Sequence, residues 1–115
     1  MERASALAVM PDSPERRSLI RYFRDCSYSP ITALSEVPDV KTIITPKVAV
    51  VDLGLPNSRT LVDFLKKNPN TFVFGIPSEQ DSDVPGIGLL HDRVPLDYQV
   101  NLFLAVYAII NHPSY

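Results

Sequence analysis

One cysteine in 115 residues excludes an internal disulfide and a cysteine-based zinc site, and it fits a reducing, cytoplasmic setting. Charge of one sign is also scarce. A formal net charge of −2 gives no electrostatic basis for direct contact with nucleic acid. No stretch approaches the roughly 18 apolar residues that a membrane span needs, and the run after Met1-Glu2-Arg3 is too short and mixed for a signal peptide. Internal repeats and low-complexity segments are lacking. Gly86-Ile87-Gly88 has neither a third glycine nor a capped helix directly after it, which excludes a dinucleotide fingerprint. His91 and His112 have no partner at metal-ligand spacing and read as surface residues. No serine sits in a G-x-S-x-G elbow.

What is present suffices for one folded domain. Hydrophobic residues make up 45% of the chain, ample for a core. Eleven prolines, about twice the usual share, mark many loops and shortened elements. The centre of the sequence is 47–57, KVAVVDLGLPN. Its apolar, mostly β-branched run is stopped by Gly54, Pro56 and Asn57, which reads as a buried strand of a parallel sheet. Asp52 sits at the end of that run. Ligand sites of open α/β sheets lie outside the carboxyl ends of the strands, so Asp52 is the first candidate for chemistry.

In chain order, 4–10 predicts a first strand. Ser13 predicts a helix cap with Pro14 at the first helical position, and the helix runs to about Cys26. Leu19, Ile20, Phe23 and Cys26 share its apolar face, with Cys26 read as a small buried residue. Arg16, Arg17, Arg21 and Arg24 lie mostly on the other side, either merely solvated or facing an acidic partner. A weak second strand over 28–34 is interrupted by Pro30, and a helix of about two turns, limited by Pro38, follows within 35–45. After the central strand, Ser58 predicts the cap of a helix to about Asn68, with Leu61, Val62, Phe64 and Leu65 inward, and 71–76 (TFVFGI) predicts a fourth strand. Polar 78–88 leaves room for a loop or one distorted turn. A short fifth strand within 89–94 and a last helix over about 98–112, capped by Asp97, complete the order.

Alternating strands and helices imply parallel pairing with right-handed crossovers. The expected fold is α/β: a flavodoxin-like, doubly wound, five-stranded parallel sheet of order 2-1-3-4-5, its fourth helix shortened or missing. That order sets the ends of the first and third strands side by side, so Asp12 and Asp52 meet at the switch point. The last helix is apolar without a break over 102–110 (LFLAVYAII). Leu102, Ala105, Val106, Ile109 and Ile110 make one face, and Val100, Phe103, Tyr107 and Ala108 make much of another. One face can cover the sheet. The other is an interface, unless the 78–88 loop folds over it.

Residues 46–57 resemble the third strand and following loop of the receiver domains of two-component response regulators, with support from the Asp12-Ser13-Pro14 turn and from Val94-Pro95. The resemblance implies Asp52 as phosphoacceptor for a histidine kinase. It implies Asp12, Asp52 and the Gly54 carbonyl as the metal-facing set for Mg²⁺. The family also carries a second acid beside the first, a Ser or Thr after the fourth strand and a Lys before a Pro after the fifth. Here those positions read Pro11, Pro77 (with Ser78 one residue later) and Val94. Fewer carboxylates weaken a metal site. Without the lysine and hydroxyl, the phosphorylated form loses charged hydrogen bonds worth about 1.5–3 kcal/mol each.

The resulting expectation is an atypical receiver domain over 1–115, the N-terminal part of a longer regulator with a DNA-binding or ATPase output domain. It acts without stable phosphorylation and without a required cofactor, Mg²⁺ binding being weak. Its partners are a second copy, met through Leu89, Leu90, Phe103, Tyr107 and Ile110, and a histidine kinase or other regulator. Neither nucleic acid nor membrane is contacted by this domain. The alternative is a phosphorylation-competent receiver that uses Asp52 with Mg²⁺, Ser78 replacing the hydroxyl. An enzyme is not expected: a haloacid-dehalogenase-type phosphatase needs a second acid two residues after its aspartate, where this chain has Gly54.

Overall fold

The computed structural model describes residues 5–43, 45–68, 70–77, 88–90 and 95–111, with the backbone alone over 106–111. In order come β1 (Ala6–Val9), α1 (Pro14–Asp25), β2 (Ile31–Leu34), a 3₁₀ turn (Val40–Thr42), β3 (Val48–Asp52), α2 (Ser58–Lys66), β4 (Phe72–Ile76), β5 (Gly88–Leu89) and α3 (Leu96–Asn111). Four strands of four or five residues form an all-parallel sheet in the order β2-β1-β3-β4. This is an α/β architecture compatible with a flavodoxin-like fold. Of the short fifth strand expected within 89–94, the described residues show β5, which pairs with β4 through Phe74↔Gly88 and Gly75↔Leu89. Residues 91–94, and the 78–87 segment where a fourth helix would fall, lie outside the described residues.

Side chains alternate across a strand, and here the alternation splits the core in two. Ala6, Ala8, Val48, Val50 and Phe74 point to one face, where Leu19 and Phe23 of α1 and Leu96 and Val100 of α3 pack on them. Leu7, Val9, Ala49, Val51 and Val73 point to the other, against Leu61, Val62 and Leu65 of α2. Burial on both faces explains why β1 and β3 are apolar at every position up to Asp52.

Helix α1 starts as expected. The Ser13 hydroxyl accepts the Arg16 N–H at 3.1 Å, with Pro14 at the first position. Its end corrects the reading of Cys26. That residue is the C-cap, where the chain turns back through Ser27 at φ 65°, and its thiol is exposed. Phe23 carries the apolar end instead. Its ring stands edge-on to Tyr28 at 5.3 Å and tilted to Tyr22 at 5.7 Å. Burial, and then Cys26, push the Tyr22 phenol above its usual value, and burial does the same for Tyr28. Both are held neutral, and the Tyr22 hydroxyl donates to Asn101 Oδ1 on α3 at 3.3 Å.

The expected two-turn helix in 35–45 is a single 3₁₀ turn, capped by Asp39, whose Oδ1 accepts the Lys41 N–H. Ile43 is extended at φ −89°, ψ 129°, which ends the turn there. Ser58 is not the cap of α2 either. Asn57 holds that place in the left-handed region, at φ 66°, which asparagine tolerates. The buried Ser58 hydroxyl turns inward and donates to the Leu53 carbonyl at 3.1 Å. On α3, Leu96 and Val100 are buried and Phe103 tilts against Phe74 at 5.6 Å between centroids. The packed stripe is therefore 96, 100, 103 and 104. Leu102, 52% exposed, and Tyr98, 62% exposed, face outward.

Candidate functional site

Strand order reverses between β1 and β3, because β2 lies on one side of β1 and β3 on the other. The two strands run in register, Val9 opposite Val51, so the loops that carry Asp12 and Asp52 leave the sheet side by side. Their carboxylates turn to different partners. Asp52 Oδ1 accepts the Gly54 N–H at 2.8 Å, an Asx turn that closes the loop after β3. Two further bonds fix that loop: Leu55 N–H to the Asp52 carbonyl at 3.2 Å and Leu53 N–H to the Ile76 carbonyl at 3.0 Å. At Gly54, the group that meets Asp52 is the amide.

Asp12 turns toward α1. Its Oδ1 lies 3.4 Å from Arg16 Nη2 and 3.5 Å from Arg17 Nε. Arg16 was expected on a face either solvated or turned to an acidic partner, and its side chain is only 15% exposed. Its Nη1 donates to the Met10 carbonyl and to Ser35 Oγ, each at 3.2 Å. One guanidinium thus ties the end of β1, the end of β2 and Asp12 together. Its Nε is buried and has no hydrogen-bond partner among the described residues. The Asp12-to-Arg16 spacing of four was the signal available in the sequence.

This arrangement does not fit a divalent metal. Mg²⁺ prefers an octahedral oxygen shell that includes one or two free carboxylates. Here one of two carboxylates faces a pair of guanidiniums and the other is bonded to its own loop. Among the described residues, no group of three or more His, Cys, Asp and Glu side chains is placed to hold a metal. Beyond β4, Pro77 follows directly after Ile76. Ser78 and Val94 lie outside the described residues, as do the side chains of Tyr107 and Ile110.

Of the other expected interface residues, Leu89 is half-buried and Phe103 is 43% exposed. Leu90 is 1% exposed, and its N–H donates to the Gly75 carbonyl at 2.9 Å. The core uses its side chain, which removes it from the candidate surface. No described helix is long and apolar enough to cross a membrane. No family model, no curated protein and no solved structure matches this chain.

Proposed function

We propose that this chain is an atypical receiver-like regulatory domain with a flavodoxin-like sheet, working by protein contact and without stable phosphorylation of Asp52. One observation carries the reading: a single carboxylate at the carboxyl end of a central parallel strand, at the point where strand order reverses. The neighbouring acid supports the second half, since Arg16 and Arg17 occupy the charge that a metal would need. Pro77 supports it as well, standing where the family carries a hydroxyl. In this reading the domain is cytoplasmic, its output domain follows in a longer chain, and a histidine kinase or another regulator addresses it. The rival reading keeps Asp52 as a Mg²⁺-dependent phosphoacceptor.

Intact-mass spectrometry separates the two. After incubation with Mg²⁺ and a small phosphoryl donor, neither wild type nor Asp52→Asn should gain a phosphate adduct. An adduct on wild type alone would establish the rival reading. A release of inorganic phosphate that Asp52→Asn abolishes would make the chain a phosphatase.

The contact surface proposed is the outward stripe of α3, Tyr98 and Leu102, with the exposed part of Phe103, against the same stripe of a second copy. Leu102→Glu is the clean test, because Phe103 also packs on Phe74 and its loss would disturb the core. Light scattering should give a dimer for wild type and a monomer for Leu102→Glu. A wild type monomeric at high concentration sinks the proposed dimer.

A further inference from the structure

Between β2 and β3 the chain supplies one 3₁₀ turn in place of a crossing helix. The face of β1 and β2 turned away from α1 is consequently roofed by coil. Beneath that roof is a cavity of about 320 Å³, within the range of about 300–1,000 Å³ typical of ligand pockets. Leu7 is its buried floor, and Leu34, Pro38 and Ile43 are its half-buried walls. Thr32 and Thr42 line it too and are exposed, and the Thr42 hydroxyl already donates to the Asp39 carbonyl at 2.7 Å. Among the described residues, no lining side chain is charged.

These features select a guest. The pocket opens to solvent at its threonine side, so a guest can enter and displace water from its apolar walls. A charged guest would shed its hydration without finding a counter-charge. An apolar body gains from Leu7, Leu34 and Ile43, and one hydrogen-bonding group has the hydroxyl of Thr32 as its partner, with Thr42 Oγ1 left to accept. The cavity also touches the other end of the sheet through its own wall. The Leu34 carbonyl accepts the Met10 N–H at 2.9 Å, and the next residue, Ser35, accepts from Arg16. These contacts form a continuous chain from the cavity wall to the guanidinium beside Asp12.

We infer that this cavity binds a small neutral molecule with an apolar, ring-sized body and one hydrogen-bonding group. Its occupancy is the input that the domain reads in place of a phosphoryl group, a step that rests on the regulatory reading above.

The test uses 1-naphthol and its charged counterpart 1-naphthoate, followed by amide and methyl NMR on the whole chain. 1-Naphthol should give saturable shifts at the methyls of Leu7, Leu34 and Ile43 and at the amides of Ser35 and Arg16. 1-Naphthoate should bind at least tenfold more weakly. Thr32→Phe fills the mouth and should abolish the shifts; should it fail to fold, Thr42→Phe, from the opposite wall, carries the same expectation. No saturable shift, shifts centred on Tyr98 and Leu102, or equal binding of the two probes each overturns the site. Binding that leaves Ser35 and Arg16 unmoved overturns the coupling. The mass test on Asp52 reads the regulatory proposal separately: a phosphate adduct there would overturn the input role and leave binding in the cavity standing.

Discussion

Phe23→Ala is expected to cost about 3–5 kcal/mol of folding stability. Phe23 is among the largest fully buried side chains. It joins α1 to the sheet face shared with α3 and braces Tyr22 and Tyr28 on either side. Domains of this size are stable by only about 5–15 kcal/mol, so the variant should populate unfolded chain well below the wild-type urea midpoint. Arg21→Ala is the comparison, because Arg21 is exposed on the same helix, and substitutions at such sites usually stay within about 0.5 kcal/mol. A Phe23→Ala loss below about 1 kcal/mol would mean that α1 does not pack on the sheet through this ring.

Arg16→Gln combined with Arg17→Gln should raise Mg²⁺ affinity at least tenfold. Each guanidinium lies within 3.5 Å of Asp12 Oδ1. At about that separation a unit charge is worth about 1 kcal/mol even at the dielectric constant of water, and more beside the protein. Removing two cations frees Asp12 as a metal oxygen while Asp52 keeps its place. Isothermal titration with Mg²⁺ reads the change directly. Arg17→Gln alone should give a smaller gain with the fold undisturbed, since Arg17 is exposed. An unchanged affinity in the double variant would mean that the arginines are not what keeps the metal away.

Much of the sheet could be read in the residues. β1, β3 and β4 are short apolar runs bounded by turn residues, and burial on two faces leaves no other pattern for them. The Ser13-Pro14 start of α1 was legible because cap and first residue carry their own signals. Three features were not. Ser58 resembles a cap by type, yet its hydroxyl satisfies the Leu53 carbonyl five residues back, a demand of the folded loop that residue type does not record. Cys26 continues the apolar face of α1 by spacing, but the helix ends one residue before it and turns the thiol out. At Arg16 the error ran the other way. A charged residue on an arginine-rich stretch reads as solvated until the ends of β1 and β2 are known to converge on it. The site's acid was therefore read from the sequence, while its companion cation was signalled only by its spacing of four from Asp12.

The two-core alternation of β3 has a consequence for how this sequence can vary. Val48 and Val50 serve one core, and Ala49 and Val51 the other. Exchanging one aliphatic residue for another at these places changes volume by a methyl or two, which repacking absorbs at modest cost. Inserting a single residue is different in kind. It would send every downstream side chain to the opposite face, trade the contents of the two cores and turn Asp52 to the other side of the sheet. Tolerance here is set by phase: the strand is free in composition and fixed in length. The count of residues between Pro46 and Asp52 is therefore as much a part of the site as the carboxylate itself.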